Sequence, residues 1–161
     1  MFWVDTSVNF ISNNLSAIHQ QVVDDPHGLV IFDINFRVLF EVTHPDMYAY
    51  LPIPAEQAKK VAMIQAGCLL LYRTNHVYNG LLMWWVLCAL QKQCIAPIYT
   101  LGCSFNKNRT YAKCHRFDQS AVNILIANLF HSDQKKRCFS RKRVLNIKRN
   151  RGQYKGKLES C

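Results

Sequence analysis

Leu29-Val30-Ile31-Phe32 decides how the rest of the chain is read. All four positions are apolar, and the run is entered through Asp24-Asp25-Pro26-His27-Gly28, a dense cluster of turn formers. A strand that is apolar on both faces needs cover on both faces, as in a sheet lying between helices. Upstream, Asn13 or Asn14 caps a helix expected to run to about Val23, with Leu15, Ile18 and Val22 on one face. Residues 1–4 read as a strand running into Asp5-Thr6-Ser7. Downstream, Phe36 to Val42 reads as another strand and Thr43 to Pro52 as a short helical turn. Pro54-Ala55-Glu56-Gln57 opens a second turn, because proline suits the first helical position. Ala66 to Tyr72 is a buried strand. Asn75 to Gln91 is a helix whose apolar residues surround most of its circumference, so it is expected to be largely buried, Trp84 and Trp85 included. Strands alternating with helices place the chain in the α/β class, with a mixed sheet flanked by helices.

Composition fits one domain. The chain has 161 residues, 50% of them apolar, with only 6 Gly and 5 Pro, which excludes a disordered or low-complexity protein. Its net charge of +10 is unevenly placed. Residues 1–134 carry equal numbers of basic and acidic side chains, and the whole excess falls in the last 27 residues, among them Lys135, Lys136, Arg137 and the run Arg141-Lys142-Arg143. The expected division is therefore a neutral globular domain over 1–133 and a basic, solvated, disordered tail over 134–161. Nucleic acid is not the expected partner of the globular part, although a basic tail can bind it. The first residues lack the pattern of a signal peptide, and the longest apolar run, Leu81 to Leu90, falls short of the roughly 20 residues that a membrane span needs.

Cys88, Cys94, Cys103 and Cys114 lie close together around a polar loop. Their spacing lacks the paired short knuckles of a zinc site, so two disulfides are expected, with three connectivities open and an oxidising compartment implied. Cys68 sits in an apolar run and reads as core, whereas Cys138 and Cys161 read as unpaired.

The polar residues with chemical promise gather in Cys114-His115-Arg116-Phe117-Asp118-Gln119-Ser120-Ala121, which leads into the apolar run Val122 to Leu129. Free N–H groups and the helix dipole favour an anion at such a start. Asp5, ending the first strand, is either a ligand for a hard cation or a cap for the following turn; Asp118 has the same alternative of a plain N-cap.

Together with Phe2-Trp3-Val4-Asp5-Thr6-Ser7, Thr43-His44-Pro45-Asp46-Met47-Tyr48, Trp84-Trp85-Val86-Leu87-Cys88-Ala89-Leu90 and Cys94-Ile95-Ala96-Pro97, the His115–Ala121 segment resembles an invertebrate, nematode-type family. That family carries a nucleotide-diphospho-sugar transferase-like domain of the GT-A type. The resemblance covers about residues 1–133 and implies a Rossmann-related mixed sheet, a secretory or Golgi setting, and transfer of a sugar from a nucleotide-sugar donor to a hydroxyl on a glycan or protein acceptor. It implies Asp5 as the ligand of Mn²⁺ or Mg²⁺, with Ser7 standing where the second carboxylate of an acidic motif would be. Asp118 and Gln119 would be the catalytic, sugar-facing pair, and Arg116 with Ser7 would contact the donor. His115 or His131 would be a further metal ligand or acid/base group. The nucleotide-binding βαβ half of such a domain would precede Asp5, so the chain is expected to be truncated at its N-terminus and a fragment without activity is one outcome. A noncatalytic, disulfide-rich binding domain is the alternative reading.

Overall fold

The structure, a computed structural model, describes residues 1–98, 102–130, 138–139 and 144–147. Its centre is a mixed sheet in the order β1-β6-β3-β7. The four strands are β1 (Phe2–Val4), β3 (Leu29–Phe32), β6 (Cys68–Leu71) and β7 (Cys138–Phe139). β6 runs antiparallel to both β1 and β3, pairing Trp3 and Ile31 with Leu69, while β3 and β7 run parallel. Every residue of β3 is buried, as its unbroken apolar run requires. β1 therefore lies at one edge of the sheet, and it points the same way as β3.

Two smaller ribbons extend this centre. β2 (Val8–Phe10) pairs antiparallel with β8 (Leu145–Ile147), and β4 (Ile34–Val38) pairs antiparallel with β5 (Ala62–Ile64) through an irregular register. The expected strand over Phe36–Val42 is thus half right. It ends at Val38, where the chain turns into α2 (Leu39–Val42). The cause is Glu41, whose buried carboxylate accepts the Val38 N–H at 3.0 Å and the Arg37 guanidinium at 3.2 Å, closing a first helical turn.

The helices fall on both sides of the sheet. α1 (Ser16–Asp24) follows Asn14, whose side-chain Oδ1 accepts the Ser16 N–H, and it buries Ile18 and Val22 against Val30 and Phe32 on one face. On the other face lie a 3₁₀ turn (Pro45–Ala49), α3 (Ala55–Ala58), α4 (Asn75–Val77) with a π-turn (Tyr78–Leu82), α5 (Met83–Leu90), α6 (Lys92–Ile95) and α7 (Phe117–Phe130). Gly80 in the π-turn leaves room for Leu129 of α7, since a Cβ there would come within 2.5 Å of a Leu129 methyl and force that side chain to move.

Three expectations are revised. The helix over 75–91 is not largely buried: Trp85 and Cys88 face inward, but Met83, Trp84, Val86, Leu87 and Leu90 are exposed, Leu90 at 78%. The basic segment is not uniformly solvated, because β7 and β8 belong to sheets and Val144 and Leu145 are buried beside Ile18 and Phe32. Cys138 is disulfide-bonded, not free. The four loop cysteines pair in sequence order, Cys88 with Cys94 and Cys103 with Cys114, at Cα separations of 5.2 and 4.9 Å. Cys68 is buried and free, and burial pushes its thiol up to about 12. No helix among the described residues is long and apolar enough to cross a membrane.

Candidate functional site

β1 and β3 point the same way, so their carboxyl ends share one end of the sheet with the start of β6, and each is followed by an aspartate, Asp5 and Asp33. Ligands of open α/β sheets bind outside strand carboxyl ends. The Asp5 N–H donates to the Gly67 carbonyl at 2.8 Å, which holds the Asp5 loop against the turn before β6. A Cβ on residue 67 would lie 3.5 Å from the Asp5 Cβ, an ordinary contact, so the approach does not depend on glycine. Asp5 Oδ1 accepts the Thr6 hydroxyl at 3.2 Å and the Ser7 N–H at 3.3 Å, so the turn-capping reading of Asp5 describes what this oxygen does. The Ser7 hydroxyl is buried and has no partner among the described residues, which is rare for a buried polar group.

The start of α7 arrives at the same place. Asp118 lies in its first turn, not at its cap, and its side chain reaches the surface. Crowding by protein atoms holds the Asp118 carboxyl above its ordinary pKa, opposed by the backbone N–H groups of Gln119 and Asp118, while the charge of Asp5 adds to the rise. Asp5 is thus within electrostatic reach of Asp118, as the smallest of the influences on its carboxyl. Arg116 is half-buried, and its guanidinium has no hydrogen-bond or carboxylate partner among the described residues.

Backbone conformation marks the same region. Asp33 and Phe117 both have left-handed backbones, with φ of 59° and 44°, and for an aromatic residue that conformation is a true outlier. Strain of this kind persists only where its surroundings enforce it, and it concentrates at functional sites. Asp33 is 2% exposed and near enough to Cys68 for its charge to raise the thiol. Sequence reading passed over Asp33; an acid directly after a fully apolar strand was the available signal.

Other named residues serve the scaffold. The Gln119 side-chain amide donates to the Ile64 carbonyl at 2.8 Å. Asn123, unremarked in the sequence, grips the same peptide from both sides, accepting the Ile64 N–H at 2.7 Å and donating to its carbonyl at 3.2 Å. Gln119 thus anchors α7 to β5, and its amide is committed to protein. His115 is equally committed. Its Nδ1 accepts the His44 N–H at 3.2 Å and its Nε2 lies 3.1 Å from the Ile95 carbonyl, an arrangement that fits the neutral ring with the proton on Nε2. Burial drives the His115 pKa down to about 4, against the opposing pull of the Ile95 carbonyl. A ring with both nitrogens bonded to backbone is a clamp, and a metal would have to displace one of those bonds. His131 lies outside the described residues. Among the described residues no group of three or more His, Cys, Asp and Glu could hold a metal ion.

The chain matches no protein-family model, and comparison with characterised proteins and with solved structures finds nothing similar. The site is therefore interpreted from its own chemistry.

Proposed function

We propose that the face formed by Asp5, Ser7, Arg116 and Asp118 is the donor site of a glycosyltransferase-like domain, which moves a sugar from a nucleotide-sugar to a hydroxyl acceptor. One observation supports this reading: next to Asp5, at the end of β1, the Ser7 hydroxyl is buried without a partner among the described residues, and Asp5 is within electrostatic reach of Asp118 in the first turn of α7. A carboxyl with a raised pKa is the stronger base, so Asp118 is suited to accept the proton of an attacking hydroxyl or to orient it. Arg116 presents a fork of donors matched to phosphate oxygens. The orphaned Ser7 hydroxyl supplies a further donor or acceptor beside them. Gln119, committed to Ile64, leaves the catalytic role to Asp118.

A divalent cation fits this donor set in one form. Mg²⁺ is commonly held through one or two carboxylates plus substrate phosphates and water, so Asp5 would hold it, and the ion would neutralise charge on the departing diphosphate.

Calorimetric titration of the folded chain with UDP-sugars, with and without Mn²⁺, tests the reading. Expected is saturable binding that needs the metal, is lost in Asp5→Asn and survives in Asp118→Asn, with transfer to acceptor lost in the latter. A folded chain that binds no UDP-sugar overturns the proposal. It would favour a noncatalytic domain, a reading supported by how many of the polar groups of α7 are spent on the protein's own backbone.

A further inference from the structure

Asn108-Arg109-Thr110 forms an N-x-T sequon at the tip of a projecting loop, and we propose that Asn108 carries an N-linked glycan. The inference is independent of the donor site. The base of the loop is closed by the Cys103–Cys114 disulfide and by the Ser104 N–H donating to the Ala112 carbonyl at 2.7 Å. The Ala112 N–H in turn donates to the Glu41 carbonyl at 2.8 Å, which fixes the base to α2. Beyond that base every residue from 104 to 110 is exposed.

Asn106 organises the tip. Its carboxamide donates to the Thr110 hydroxyl and accepts the Thr110 N–H at 3.3 Å, and its carbonyl accepts the Arg109 N–H at 3.4 Å. None of these bonds uses the Asn108 side chain, which has no partner among the described residues. Arg109 at a φ of 51° turns the chain sharply between the asparagine and the threonine. The disulfides place this loop in an oxidising compartment, where glycosylation of sequons takes place.

The donor class is an oligosaccharide joined through diphosphate to a polyisoprenoid lipid. The Asn108 amide nitrogen forms a bond to the anomeric carbon, the bond from that carbon to the diphosphate oxygen breaks, and the electron pair leaves with the lipid diphosphate. The amide gives up one proton to a base of the transferase, and nothing is oxidised or reduced. A bulky polar glycan here would extend from an exposed residue whose neighbours from 104 to 110 are exposed as well.

The full chain, expressed through the secretory pathway of a eukaryotic cell, should gain mobility on treatment with peptide-N-glycosidase, with Asn108 converted to aspartate in the peptide mass map. Asn108→Gln and Thr110→Ala should each abolish the shift, and Thr110→Ser should keep it. An unmodified Asn108 in the mass map of the secreted wild-type chain overturns the proposal without recourse to any variant. So does a full shift in Asn108→Gln, which would assign the glycan to the second exposed sequon, Asn14-Leu15-Ser16.

Discussion

α5 is apolar at every position and α7 carries five polar residues, yet it is α7 that is buried and α5 that is largely exposed. In α7 the eight residues from Ser120 to Ala127 are all buried, polar Ser120 and Asn123 among them. In α5 only Trp85 and Cys88 are buried, and five large apolar side chains face outward. α7 packs against β5, α5 and α6, whereas α5 packs against the π-turn, α6 and α7 and leaves most of its remaining surface exposed. Apolar composition thus records that a helix needs cover; the layer order decides whether the same chain supplies it.

The strongest way to break this contrast is to open a cavity in α7. Ile124→Ala, at a fully buried position, should cost about 2–5 kcal/mol, read as a lower urea midpoint with an unchanged slope. A loss below that range would show that α7 can collapse around the gap and is looser than its burial implies.

Next in size is acidification. The unfolded chain takes up a proton on His115 near its ordinary value of 6.5, but the folded chain resists until about 4. Stability contributed by the neutral clamp is therefore complete above about pH 6.5 and falls progressively to about pH 4, by about 3 kcal/mol in all. Denaturation midpoints measured across that window should drop in the native protein and flatten in His115→Phe.

Asp118→Asn should act in the opposite direction and by less. A carboxyl whose pKa is raised by folding is less costly protonated than ionised, so a neutral amide should raise the urea midpoint slightly at neutral pH. The same change should abolish sugar transfer, a gain of stability against a loss of function that marks a site residue. Equal loss of both would make Asp118 an ordinary structural group.

The smallest effect is expected on α5. Leu90→Ser should change stability by less than about 0.5 kcal/mol while reducing binding of an apolar dye. A loss comparable to that of Ile124→Ala would mean that the α5 face is covered in solution.

Much of the architecture was legible because single segments announce themselves. The apolar run at Leu29–Phe32, the turn cluster before it, and the spacing of Ile18 and Val22 each carry a local pattern, and the structure follows all three. β2, β5, β7 and β8 were not legible; they are two or three residues long, too short for periodicity, and each is defined by a distant partner. The outward face of α5 was misjudged for a related reason, since composition cannot say which layer is last.

At the site, Asp5 and Asp118 stood out by motif, and the structure puts one at the end of β1 and the other in the first turn of α7. The role of His115 was illegible because its partners are backbone groups 71 and 20 residues away, which no side-chain pattern reports. Gln119 was misread because an amide at a helix start looks the same whether it faces a ligand or a neighbouring strand.

The ribbon joining Val8 to Ile147 has a consequence for how the protein is made. A ribosome adding about 5–20 residues per second delivers β8 about 140 residues after β2, so the first strands wait roughly 7–28 s for that partner. During this interval Phe2 and Val8 have no completed apolar layer to enter, and early contacts must form among α1, β3 and β6. Closure by β8 is then late relative to the synthesis of β2, and a nascent chain halted before residue 145 would present an open ribbon to chaperones.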